Sequence, residues 1–350
     1  MANLIDYVEK YGDQRFENMK FNEVDNVILS LLPYLDFTHT KINENCHTLE
    51  EIGREYLLKN DYKNVRKLGI AIGDSYLLLK ALIESERYRH LIVKDYVYNA
   101  KRNMQFCAMT IRLTRGLEYI AFEGTDQLIS GWREDFELAC TFPVPSHIEA
   151  TKYLNEHVSA FGPKVIVGGH SKGGNLALVG PMYMNRIKLQ RVKKIYNNDG
   201  PGLRRAEFES NAYQKILKKY VHIIPHCSVV GILMRNSNYQ VVQSSREGLI
   251  GHAAMTWQVV GDHFKRAHRS ERSLELERRI WSWLDKHNDA DRKIMLEAIF
   301  GTIEGCDIMD TVSLTKMQNI RKLIHSAREL DKESKDIVAS FIKEIAFKRK

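Results

Sequence analysis

The stretch from Val165 to Leu178 constrains this chain more than any other. It reads Val-Ile-Val-Gly-Gly-His-Ser-Lys-Gly-Gly-Asn-Leu-Ala-Leu. An apolar run stops at glycine, Gly-x-Ser-x-Gly spans Gly169 to Gly173, and a helix-compatible segment follows. That order predicts strand, sharp turn and helix, with Ser171 at the apex. Such a nucleophile elbow strains the serine backbone and brings the flanking positions too close to the neighbouring strand and helix for side chains. The turn lifts the hydroxyl above the sheet edge, and the helix N-terminus offers N–H groups to a developing oxyanion. The glycine spacing of 168–174 matches neither a phosphate loop nor a dinucleotide-binding turn.

Around this stretch, strand-like and helix-like segments alternate. Leu91–Val97 and Phe106–Leu113 have strand character, with Cys107, Met109, Ile111 and Leu113 in alternation, and form an expected antiparallel pair at the sheet edge. Strands are also expected at Leu117–Phe122, Val165–Val167, Lys193–Tyr196, Val221–Ile224 and Tyr239–Gln243, with a helix over Lys172–Met184. The alternation implies an α/β fold, with a mostly parallel central sheet covered on both faces. Ahead of it, helices are expected from about Phe21 (capped by Asn22 or Asp25), over Leu49–Leu57, and over Ser75–Glu86 after a Gly73-Asp74 boundary. Beyond Phe264 the pattern turns helical, through Leu276, Ile280, Trp283 and Leu284, then 292–300, 314–327, and Ile337, Phe341 and Ile345. The expected organisation is an N-terminal helical segment (1–87), a core (88–263) and a C-terminal helical extension (264–350).

A serine hydroxyl needs a base within hydrogen-bond reach, a carboxylate to orient that base, and oxyanion donors. In α/β-hydrolases the chain order is serine, acid, histidine. Of the downstream histidines (His222, His226, His252, His263, His268, His287 and His325), His252 lies in a glycine-containing loop just beyond the strand at Tyr239–Gln243. It is the expected base, with His263 in reserve. Asp199, in Asn-Asn-Asp-Gly-Pro-Gly after the strand that follows the elbow helix, is the expected acid, although these residues are also ordinary turn formers. The next strand runs into Pro225-His-Cys-Ser228 with no carboxylate, and Asp262 is the reserve. The oxyanion donors are expected at Lys172 and in the Gly124-Thr125-Asp126 loop, where Thr125 offers N–H and hydroxyl. Thr141 to His147 is a candidate border of the pocket.

Three segments together resemble a known family: Phe122-Glu-Gly-Thr-Asp, Gly131-Trp-Arg-Glu-Asp-Phe and Gly169-His-Ser-Lys-Gly-Gly-Asn-Leu-Ala. They resemble the bacterial Mbeg-like hydrolases, whose members mostly lack an assigned substrate and which look related to class 3 lipases. Leu4-Ile-Asp-Tyr, Phe21-Asn-Glu-Val-Asp-Asn, Asn198-Asp-Gly-Pro-Gly and Met255-Thr-Trp-Gln-Val extend the likeness over nearly the whole chain. The resemblance implies an α/β-hydrolase fold, with Ser171, Asp199 and His252 in triad-like positions. Two departures from the lipases stand out. Glu123 replaces the arginine of their Arg-Gly-Thr motif, and Ser228 stands where their acid normally follows the next strand.

The leading expectation is therefore a serine hydrolase that cleaves carboxylic esters of small molecules or lipids, without metal or cofactor. The alternatives are a catalytically inactive hydrolase fold used for binding or regulation, and a thioesterase or peptidase on the same triad. The formal net charge of +8 comes from scattered lysines and arginines apart from Lys348-Arg349-Lys350, which argues against a nucleic-acid partner. Cys46, Cys107, Cys140, Cys227 and Cys306 lie far apart with no metal-ligand spacing and read as reduced thiols. With an acidic amino terminus and no apolar run of membrane-spanning length, they point to a cytoplasmic protein, with room for transient contact with a membrane surface.

Overall fold

The computed structural model describes residues 1–44, 46–101, 104–125, 133, 136–306 and 317–345. Eight strands form the central sheet in chain order: β1 (His47–Thr48), β2 (Ile92–Lys101), β3 (Met104–Thr114), β4 (Leu117–Phe122), β5 (Lys164–His170), β6 (Val192–Asn198), β7 (Tyr220–Pro225) and β8 (Tyr239–Val242). The pairs from β4 to β8 are parallel and those from β1 to β4 antiparallel. This is the α/β architecture with a mostly parallel sheet. The antiparallel β2–β3 pair is present, but the edge itself is the two-residue β1, laid outside β2.

Strand residues alternate between two cores because successive side chains point to opposite faces. Cys107, Met109, Ile111, Tyr119, Ala121 and Ile166 join the N-terminal helices on one side. Phe106, Ala108, Ile120, Phe122, Val165 and Val167 face α6 (Pro145–His157) and α7 (Lys172–Tyr183) on the other. Both faces are buried, hence the near-continuous apolar runs.

The N-terminal segment supplies α1 (Leu4–Tyr11), α2 (Glu23–Ser30), α3 (Leu49–Lys59), α4 (Tyr62–Leu68) and α5 (Ile70–Glu84). Asn22 caps α2 and Asp25 returns the bond to the Asn22 N–H, so the two cap candidates act together as a capping box. The expected boundary at Gly73-Asp74 does not hold. Helix α5 begins at Ile70 and both residues lie inside it, with Gly69 as the cap. Beneath these helices the guanidinium of Arg87 pairs with Asp25, both side chains wholly buried, and Tyr88 donates to the same carboxylate at 2.6 Å.

At the other end lie α8 (Glu271–Lys286), α9 (Asp289–Glu304), α10 (Met317–Arg328) and α11 (Lys332–Ile345). Residues 314–316 of the expected third tail helix, and Lys348 to Lys350, lie outside the described residues. The tail packs on the core through Trp281, whose indole N–H donates to the Ile232 carbonyl, and through Phe136 against Phe300. Among the described residues, no helix is long and apolar enough to cross a membrane.

Removing one partner of the buried Arg87–Asp25 pair leaves an uncompensated charge. Arg87→Met is therefore expected to cost about 3–5 kcal/mol in urea unfolding. Arg15→Met, which breaks an exposed pair with Glu86, is expected to cost less than about 1 kcal/mol.

Candidate active site

Ser171 stands between the end of β5 and the start of α7 with φ 58° and ψ −132°, a left-handed backbone that a serine adopts only under constraint. Its N–H donates to the Asn198 carbonyl at the end of β6. A Cβ on Gly173 would lie 2.2 Å from the Phe122 carbonyl oxygen, so the helix can approach β4 only with glycine there. The Lys172 ammonium donates to the Gln105 carbonyl at 2.8 Å. Its main chain opens the first turn of α7, where N–H groups lie outside the intrahelical ladder.

Asp199 follows β6 directly, also at positive φ (50°), and is fully buried. One carboxylate oxygen, Oδ2, lies 2.7 Å from His252 Nδ1. The other accepts from the Ser228 hydroxyl at 2.5 Å and the Gly231 N–H at 3.1 Å. Burial pushes the carboxyl above its ordinary value, while the bonds from His252, Ser228 and Gly231 pull it back. Ser228, in the segment after β7, thus holds through its hydroxyl a carboxylate that stands one strand earlier.

His252 ends a short 3-10 turn, Gly248–His252, beyond β8. Its ring stacks on that of His170 with centroids 4.5 Å apart, which places it beside the residue preceding Ser171. Thr125 lies just past β4, and its buried hydroxyl has no hydrogen-bond partner among the described residues. The rest of that expected loop, Asp126, lies outside the described residues, as do Gly131, Trp132, Glu134 and Asp135 of the second family-like segment.

The other candidates separate from this cluster. His263 and Asp262 bond each other at 3.1 Å on an exposed turn. His222 is buried between Tyr220 and Tyr239, its pKa pushed down to about 3 by burial. His226 pairs with Glu247 at 2.8 Å, next to Cys227. These three are the one group among the described residues able to face a metal ion, and the Cys227 thiol already donates to the Arg246 carbonyl. Phe142, Pro143 and His147 of the expected pocket border line an apolar cavity of about 600 Å³ with Ile148, Val179 and Tyr183, along the later turns of α7.

Residues 82–301, well over half of the chain, match the family model described as Mbeg1-like. The chain belongs to the Mbeg1-like family. Among solved structures, the crystal structure of M37 lipase is similar at 18% identity, with 59% of this chain and 68% of that chain covered and a TM-score of 0.35. No curated protein matches. The Mbeg1-like match takes in Thr125, Ser171, Asp199, Ser228 and His252, and begins after α2 and the segment that follows it.

The sequence reading missed two contributors. One is the Ser228 hydroxyl, read as a vacancy. The other is the N-terminal segment, from which Asn26 donates to the Asn198 side chain at 2.8 Å and Tyr34 reaches His170 at 2.9 Å.

Ser228→Ala removes one charge-assisted bond and is expected to lower stability by about 1.5–3 kcal/mol. The pH dependence has a definite sign. A buried acid whose pKa is raised on folding holds its proton longer in the folded state, so its contribution falls as pH rises through its titration. Without the Ser228 bond the Asp199 pKa climbs further, so the deficit of Ser228→Ala should widen on the alkaline side in unfolding measured across pH.

Proposed function

We propose that this protein is a serine hydrolase that cleaves carboxylic esters of small molecules or lipids. The observation that carries the reading is the convergence of a backbone-strained Ser171 with a hydrogen-bonded Asp199–His252 pair, the imidazole lying beside the elbow. In this scheme Nδ1–H of His252 donates to Asp199, which leaves Nε2 to accept a proton. Ser171 Oγ attacks the ester carbonyl carbon as its proton passes to Nε2. The carbonyl π pair moves onto oxygen, and the oxyanion is met by the Lys172 N–H and by Thr125. Collapse expels the alcohol, which takes the proton from His252. Water then attacks the acyl-serine, giving its proton to Nε2, and the acid is released with Ser171 restored.

The Thr125 hydroxyl, without a partner among the described residues, supports the oxyanion role, since binding the developing charge would satisfy it. Asp199 has no solvent exposure, so its effect on substrate passes through His252, whose imidazole it orients.

Incubation with a fluorophosphonate at neutral pH, followed by peptide mapping, tests the reading. Labelling is expected at Ser171 only, absent in Ser171→Ala, and slowed by about 10³-fold or more in His252→Ala. A parallel panel of p-nitrophenyl esters of increasing acyl length is expected to show turnover that depends on Ser171. Folded wild-type protein that neither labels nor turns over any ester would contradict the reading and favour a binding role for the fold.

A further inference from the structure

His170 sits inside the elbow motif, but its contacts concern the base. Its Nε2 lies 2.9 Å from the main-chain oxygen of His252, its ring stacks on the His252 imidazole, and its Nδ1 lies 2.9 Å from the Tyr34 hydroxyl. Burial, with His252 close by, pushes its pKa down to about 3, so the ring is neutral and carries a single N–H. A carbonyl oxygen can only accept, which places that N–H on Nε2 and leaves Nδ1 to accept from Tyr34. The tautomer is fixed from both sides.

Tyr34 belongs to the short 3-10 turn Leu32–Tyr34 that follows α2, and its hydroxyl lies against Gly124, where a Cβ would come within 1.9 Å of it. One phenol from the N-terminal segment therefore touches the residue before the nucleophile and the residue before Thr125. The chain runs from Tyr34 through His170 to the peptide of His252, on a loop beyond β8 that the Trp257 indole N–H also holds, through the Gly251 carbonyl at 3.0 Å.

We propose that His170 is a positioning residue for the base, clamping the main chain and ring face of His252, and that Tyr34 locks His170 into that role. This inference rests on the hydrolase reading above. It gives the N-terminal segment a part in the reaction geometry: the segment fixes the imidazole between Asp199 and Ser171 without touching substrate. A catalytic group displaced by about 1 Å loses on the order of 100-fold in rate.

The test is the rate of Ser171 labelling by a fluorophosphonate, resolved into kinact and KI, for wild type, His170→Phe, His170→Gln and Tyr34→Phe. Circular dichroism and Tm verify folding of each. His170→Phe keeps a flat ring but no donor and is expected to lower kinact by about 100-fold with KI little changed. His170→Gln restores an N–H near the Nε2 position and should recover a large part of that loss. Tyr34→Phe removes one hydroxyl and should lower kinact by about tenfold. A purely structural role would lower Tm without this split or the rescue by glutamine. Folded His170→Phe with wild-type kinact, or glutamine no better than phenylalanine, overturns the clamp. If His170→Phe does not fold, an unchanged kinact in Tyr34→Phe overturns it. Folded wild type that does not label refutes the hydrolase reading and this inference with it, whereas a labelled wild type with unaffected variants refutes the clamp alone.

Discussion

A carboxylate with no exposure to solvent must be satisfied by the protein, and at Asp199 that demand organises the surrounding loops. Three donors reach it: His252 from the turn beyond β8, and Ser228 and Gly231 from the segment after β7. An isolated buried carboxylate would be protonated, since desolvation raises its pKa. Each donor lowers that cost, and each must stand in one place to do so. Two loops with little regular structure of their own are thereby drawn to the end of β6. Asp199 itself is held at positive φ with its N–H on the Ile223 carbonyl, so the acceptor is as constrained as its donors.

The opposite side of the site is held from the N-terminal helices. Asn26 of α2 bonds the Asn198 side chain and accepts from the Tyr119 hydroxyl at 2.9 Å, bringing α2, β4 and β6 into one buried polar network. The Asn198 carbonyl in turn takes the Ser171 N–H. The strained serine and the buried acid are thus neighbours of one residue, each fixed by a different layer of the fold. Strain at such a turn persists only where the surroundings over-determine it, and here β5, β6, α2 and α7 all do.

Most of the architecture was legible in the sequence because its signals are local. Leu117–Phe122 is a strand with the bounds read from its apolar run, and the alternation through Cys107, Met109 and Ile111 is the face that packs on the N-terminal helices. The start of α5 was misread because Gly73 looks like a breaker. In the fold its missing side chain lets α5 approach α4, since a Cβ there would come within 3.3 Å of the Arg66 Cα. In the candidate site, Ser171, Asp199 and His252 stand out in the sequence because strand ends, chain order and a glycine-bearing loop mark them. Ser228 and Tyr34 do not. A serine where a carboxylate was sought reads as an absence, and nothing in the pattern relates Tyr34 to a histidine 136 residues away. Such contacts exist only once helices and sheet have packed.

Among the described residues, Asp199 is the carboxylate that bonds the imidazole of His252, and in the proposed mechanism it orients that ring. The alternative acid and base of the sequence pattern, Asp262 and His263, form an exposed pair of their own. Proton NMR of the folded protein tests this most directly, because an imidazole N–H bonded to a buried carboxylate exchanges slowly and resonates far downfield. One such resonance is expected, present in wild type and in Asp262→Asn, and lost in both His252→Ala and Asp199→Asn. Its survival in folded Asp199→Asn, or its loss in Asp262→Asn, would show that Asp199 does not orient His252.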